Sequence, residues 1–287
     1  MHAATPLTLV SLLLAPLCKC HVNAIRKRLK TWYAQKNTLK RRLTVHPCFA
    51  GLLRWITTDW SRPTVLLAMD TTTIRNRWII LTIRVLYKKR AIPVAWRVLP
   101  WHKQKWNPIW KQLLRALAPA FPSGVQVLVL ANRGLYAPEL FAYIRQVGAH
   151  PLMQMGGDGK VLIDGSSEWQ ALRNLSPCEA SAVWYRHRSW IEQGFRDLKR
   201  LRWSCHRTLV RGAGRLERVW LALSVVTLEV LWYGTGEGAA GRVWGRRRVV
   251  SVFRLGWLLV WLEVLECVEG LRCGWFPEIR ELWSCDW

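Results

Sequence analysis

Thr64–Leu99, TVLLAMDTTTIRNRWIILTIRVLYKKRAIPVAWRVL, is the stretch on which the fold turns. Thr64–Met69 is a short apolar run that ends at Asp70, and it reads as a buried strand. Trp78–Tyr87 and Ala91–Leu99 read as two more strands, joined by the basic turn Lys88-Lys89-Arg90. Pro93 has no amide to give a ladder, so the third strand belongs at a sheet edge.

Working outward, residues from about Pro108 to Leu117 carry a helical pattern, and Val125–Leu130, VQVLVL, is a fourth strand that runs into Ala131-Asn132-Arg133-Gly134. Pro138–Gln146 reads as a helix, with proline near its start and Gly148 just past its end. His150–Met155 is a fifth strand, and a helix around Tyr185 closes the series. Three early strands followed by alternating helices and strands predict an α/β domain, a mixed sheet with helices packed on it. That order is ribonuclease-H-like. The expected organisation is a helical, basic region over 1–60 and a catalytic domain over 61–235. A short loop-like insertion lies at about 156–183, and a helical region covers 236–287.

Charge points to the partner. Of 287 residues, 43 are Lys or Arg and 18 Asp or Glu, a net charge of +25. Residues 1–150 hold 24 cations against 3 acids, whereas residues 151–287 hold 19 against 15. A surface so lopsided suits a polyanion, with binding that weakens steeply as salt rises. Arg26, Lys27, Arg28, Lys30, Lys36, Lys40, Arg41 and Arg42 are interleaved with Leu29, Trp32, Tyr33 and Leu39. This mix suits a small DNA-contacting helical region and equally a solvated basic helix.

The eight cysteines follow no disulfide framework and fit a reducing cytosol. Cys18, Cys20, His21, His46 and Cys48 are chemically able to ligate zinc, but not at the spacing of a common finger. The apolar runs Leu7–Leu17, Val219–Tyr233 and Val249–Val268 are too short, or too interrupted by charge, to span a bilayer, and they read as core helices. Most of the 20 tryptophans are expected in the core.

The chemistry concentrates in Tyr185–Lys199, YRHRSWIEQGFRDLK. On an α-helix Tyr185, Arg188, Glu192 and Lys199 fall at roughly 0°, 300°, 340° and 320°, a stripe about 60° wide. Trp184, Ile191, Phe195 and Leu198 lie beside it at roughly 220–280°. One phenol, two cations and one carboxylate in a row can seat a metal-bound phosphate, or form a solvated face with weak pairing. Asp70 is the only acid between Asp59 and Glu139. At the end of a buried strand it is either a turn residue or a metal ligand. Phosphoryl transfer on DNA commonly uses two divalent ions held by carboxylates. Asp70 and Glu192 are candidates for two of these ligands, and Asn132 stands where a third belongs.

Together, Asp70 after its strand, the Ala131–Gly134 turn and the Tyr185, Arg188, Glu192, Lys199 motif resemble bacterial insertion-sequence transposases of the DDE type, in the insertion-sequence-four family. The resemblance covers about residues 60–235. It implies a ribonuclease-H-like catalytic domain that cuts DNA at transposon ends and joins them to a target, using Mg²⁺ or Mn²⁺. It assigns Asp70 and Glu192 as metal ligands and Asn132 to the remaining catalytic position. Tyr185, Arg188 and Lys199 are assigned to end phosphates, a role that suits a phenol, a guanidinium and an ammonium. The implied partners are double-stranded DNA and a second copy of the chain, in the cytoplasm, without a membrane. Two departures stand out: the family has Asp where this chain has Asn132, and only 59 residues separate Asn132 from Glu192. An amide brings no negative charge, so this copy is expected to be impaired. The competing expectation is a non-catalytic protein that occupies transposon ends. Asp158 and Asp164 are the acids available to substitute.

Overall fold

A computed structural model describes residues 10–12, 14–15, 20–34, 44–58, 60–103, 105–154, 160–162, 169–171, 184–196, 210–235, 253 and 255–259. Lys199, Asp158, Asp164, Cys18 and most of 236–287 lie outside the described residues.

The protein is built on a mixed, ribonuclease-H-like five-stranded sheet. Its strands are β1 (Thr64–Ile74), β2 (Trp78–Tyr87), β3 (Arg90–Pro100), β4 (Gln126–Ala131) and β5 (His150–Met153), in the order β3-β2-β1-β4-β5. β2 is antiparallel to both β1 and β3, while β1, β4 and β5 run parallel. β3 is the edge strand that Pro93 anticipates, and Pro93 pairs Arg84 where the register shifts.

The first strand does not end at Asp70. It continues through Thr71, Thr72 and Thr73, which pair with Leu81, Ile80 and Ile79 of β2. Threonine suits a pleated, half-buried surface, so the hairpin outruns the apolar run that marks it in sequence. Three residues join the strands, and the Arg77 amide closes a turn on the Ile74 carbonyl at 3.1 Å with Arg75 and Asn76 at φ 53° and 49°, positive at both central positions. The parallel pairing of β1 with β4 does stop early, at Ala68 and Leu130. Asp70, inside β1, and Asn132, just past β4, therefore each lie two residues past the last β1–β4 pair and on the same pleat.

Helices α1 (Val22–Ala34), α2 (Cys48–Thr57), α3 (Asn107–Leu117) and α4 (Pro138–Gln146) precede and flank these strands. α4 has the bounds its proline and glycine signals predict, and Gly148 takes φ +81° just beyond it. The larger core includes Phe49, Leu53, Leu67, Met69, Trp96, Trp110, Leu113 and Ile144. Phe49 of α2 meets Trp96 of β3 at 4.8 Å between ring centroids. The region 156–183, expected to be loop, contains β6 (Lys160–Leu162) and β7 (Trp169–Ala171), a small antiparallel pair. Three-residue strands carry too little period to be told from a polar loop.

Two further helices complete the described chain, α5 (Trp190–Arg196) and α6 (Ala213–Thr235). α6 packs against β3, one of the two edge strands. The Val98 amide donates to Glu217 Oε1 at 3.1 Å, and Trp96 Nε1 donates to the Glu217 carbonyl at 3.2 Å. Among the described residues, no helix is long and apolar enough to cross a membrane.

Candidate active site

A second, smaller cluster lies on the pleat that carries Asp70. Leu66, Ala68, Leu128 and Leu130 alternate along β1 and β4, and Ile191 of α5 packs on them with Tyr185, Trp190 and Phe195 at the margin. The apolar flank of the Tyr185 segment thereby fixes that segment over the ends of the parallel strands. The segment is helical but not one uninterrupted α-helix: Trp184–Arg186 is helical, His187–Ser189 forms a 3₁₀ turn, and α5 follows. A tighter turn between Tyr185 and Glu192 distorts the stripe drawn at 100° per residue.

Arg188 nevertheless reaches Asp70. Its Nη2 donates to Asp70 Oδ2 at 2.9 Å, both side chains being largely buried, while the Thr71 amide donates to Asp70 Oδ1 at 2.8 Å. Burial pushes the Asp70 carboxyl above the usual carboxylate range, against the pull of the Thr71 amide and of the Arg188 and Arg84 cations, and the charge of Glu192 pushes it up further. The desolvation cost thus exceeds what the partners return.

Tyr185 is set at the end of β4. Its hydroxyl lies 3.3 Å from the Ala131 carbonyl and 3.2 Å from Gln154 Oε1, and has one proton to share between them. The same carbonyl accepts the Gln154 amide at 3.0 Å. Burial raises the Tyr185 phenol, so it stays a donor at neutral pH. Asn132 comes next, extended at φ −79° and ψ 170°, ahead of the one-turn 3₁₀ segment Arg133–Leu135. Its Oδ1 is buried and has no hydrogen-bond partner among the described residues. Glu192 is exposed, on the first turn of α5. Asp70, Asn132, Tyr185, Arg188 and Glu192 thus converge.

Two residues that sequence reasoning passed over complete the site. Arg84 is 0% exposed on β2, paired with Ala68 and so on the pleat of Asp70. Its guanidinium stacks over the Phe195 ring at 4.1 Å and donates from Nη1 to the Ala91 carbonyl at 3.5 Å. Gly194 of α5 sits against it: a Cβ there would fall 2.7 Å from Arg84 Nη1 and 2.9 Å from the Ala91 oxygen. The available signal was a lone cation inside the apolar run WIILTIRVLY.

Among the described residues, no three His, Cys, Asp or Glu side chains group to hold a metal. Of the zinc set, Cys18 lies outside the described residues, and Cys20 and Cys48 are free thiols. Asp70, the unpartnered Asn132 Oδ1 and Glu192 are still hard oxygen donors, and a divalent ion such as Mg²⁺ uses one or two carboxylates with water. These are the donor types that such a cation takes.

Residues 104–228 match the family model described as the transposase DDE domain. This span takes in β4, the Asn132 turn, the Tyr185 segment and most of α6, and leaves out Asp70. No curated protein matches the chain. Two solved structures are similar to it, each at 12% identity: the Mos1 strand transfer complex and the catalytic domain of Mos1 mariner transposase. The first is matched over 54% of this chain with a TM-score of 0.23, the second over 68% with a TM-score of 0.25. The chain spans 55% of the length of the first and 95% of the second.

Proposed function

We propose that the protein is a DDE-type DNA transposase of the insertion-sequence-four kind, descended from an enzyme that cuts transposon ends and joins them to a target. One observation carries the reading. The Arg188–Asp70 contact sets a phenol and a guanidinium beside the point where the β1–β4 pairing stops, with the charge of Glu192 felt at Asp70. The match to the transposase DDE domain over residues 104–228 supports it.

In this reading Asp70, Asn132 Oδ1 and Glu192 would hold a divalent cation, Mg²⁺ or Mn²⁺, which would supply Lewis-acid polarisation of a scissile phosphate. Arg188 and Lys199 pair with phosphate oxygens of the end, and Tyr185 donates its proton to another. The basic region over 1–60 holds duplex DNA, and a second copy of the chain serves the second end. The protein acts on DNA in the cytoplasm.

Asn132 sets the activity of this copy. An amide oxygen coordinates but adds no charge, and a charged ligand's contribution is several kcal/mol. Each ~1.4 kcal/mol is tenfold in rate, so cleavage falls by orders of magnitude. The test compares the chain with Asn132→Asp on cognate end DNA and Mg²⁺. Nicking restored in the variant supports the reading; a folded, DNA-bound variant as inert as the parent counts against Asn132 as the limit. The second reading, a non-catalytic protein that occupies ends, is favoured by the same amide and by Arg188 already holding Asp70. It predicts specific end binding with no Mg²⁺-dependent nicking in either form.

A further inference from the structure

At the other end of the sheet, six residues back along β1 from Asp70 and so roughly 20 Å away, lies an open pocket of about 1030 Å³. It is framed by the end of α2, residues 58 and 60–62, the β2–β3 turn and the last turns of α6. Five of its lining residues are aromatic: Trp55, Trp60, Tyr87, Trp232 and Tyr233. Trp232 is 64% exposed and Trp55 49% exposed. Its charged lining residues are Arg62, Lys88 and Glu229. Arg62 and Lys88 both lie over the Tyr87 ring, at 5.8 and 5.3 Å from its centroid.

The turn beside this pocket is built against local preference. Tyr87 pairs with Arg90, so Lys88 and Lys89 are the two central residues of a hairpin turn, at φ 43° and 65°. That left-handed geometry favours Asn-Gly, and a lysine there is strained. Strain of this kind is kept where the side chains have work to do. Here it sets Lys88 in the lining of the pocket, with the exposed Lys89 next to it on the turn.

We propose that this pocket is a binding platform for an unpaired DNA strand, with bases stacked on Trp55 and Trp232 and phosphates on Arg62, Lys88 and Lys89. Aromatic faces interleaved with cations are what sequence-tolerant single-strand binding needs, and a duplex offers no free base face to stack. The proposal deepens the transposase reading, because strand cleavage releases such a strand, but it rests on different residues and is measured without cleavage.

The experiment is anisotropy of a labelled oligo-dT on the full chain in the absence of divalent metal, across a salt series. Trp232→Ala is expected to weaken oligo-dT binding about fivefold or more, the low end for a lost base stack, and Trp232→Phe to restore most of it. Lys88→Asn with Lys89→Gly is expected to raise the melting temperature while lowering the slope of log K on log salt by about 1.4, two contacts at ~0.7 each. Opposite movements of stability and affinity exclude misfolding as the cause. Unchanged oligo-dT binding in Trp232→Ala, or equal losses for oligo-dT and for blunt duplex, overturns the proposal. Asp70→Asn made in the Asn132→Asp background and scored for end cleavage reports on the transposase reading alone: losing cleavage with oligo-dT binding intact separates the two.

Discussion

Arg188 Nη2 stands 2.9 Å from Asp70 Oδ2, an ion pair that ties a helical segment to a strand 118 positions earlier in the chain. Both groups are mostly withdrawn from water, and Arg188 Nε is also buried without a partner among the described residues. Removing one side of such a pair strands the other charge. Arg188→Ala is therefore expected to cost about 3 kcal/mol, read as a lower urea midpoint at unchanged m-value. Asp70→Asn with Arg188→Ala should cost less than the two single changes added together. Strict additivity would mean that the contact is not a coupled pair in solution.

Asn132 gives a second prediction, readable without any turnover. Its Oδ1 is buried and unpartnered, on the pleat of a carboxylate whose protonation burial already favours. Asn132→Asp adds a like charge there. The variant is expected to melt below the parent in metal-free buffer and to gain more from Mg²⁺, since a ligand that binds only the native state stabilises it by mass action. Equal Mg²⁺ responses in thermal melts would show that position 132 does not face the cation.

Gly194 tests how α5 is held. A methyl group there would meet Arg84 Nη1 at 2.7 Å and the Ala91 carbonyl at 2.9 Å, and the second is backbone that cannot swing aside. Gly194→Ala is expected to destabilise by about 1–3 kcal/mol, the usual cost of overpacking, and to displace the helix that carries Glu192. Arg84→Ala in the same background should recover only part of that loss, because the carbonyl clash remains. A fully tolerated Gly194→Ala in chemical denaturation would place α5 further from β3 than the structure has it.

These three sites differ in how visible they are from sequence. β2 and α4 are legible to the residue, because an unbroken apolar run and a proline-to-glycine frame are local signals. The end of β1 is not: the Thr71–Thr73 run reads as a strand end until Ile79–Leu81 is seen to pair with it. Asp70, Tyr185, Arg188 and Glu192 are legible as types at a spacing, yet spacing does not reveal that Arg188 spends a donor on Asp70. Nor does it show the 3₁₀ turn at His187–Ser189, which depends on how Ile191 and Phe195 seat on β1 and β4. Arg84 and Gly194 are the extreme case. Each looks like a blemish in its own element, and their meaning exists only in contact with one another.

The last prediction concerns pH. Glu217 lies under the edge of β3, where it accepts the Val98 amide at 3.1 Å and stands 3.9 Å from Arg97 Nη1. Burial nevertheless raises its carboxyl above the ordinary value of 4.5, the Val98 amide and the Arg97 and Arg218 cations pulling it back only in part. In the window between 4.5 and the raised value the native state holds more protons than the unfolded chain. Stability from this group is therefore complete below that window and is lost as pH rises through it. Glu217→Gln keeps an oxygen for the Val98 amide and removes the charge. The variant should match the parent at a pH below the window, exceed it at pH 7, and show a flatter stability profile across the window. Urea titrations at the two pH values decide it. A variant that is weaker than the parent at pH 7 and equal to it below the window would mean that the Arg97 and Arg218 cations, rather than burial, govern Glu217.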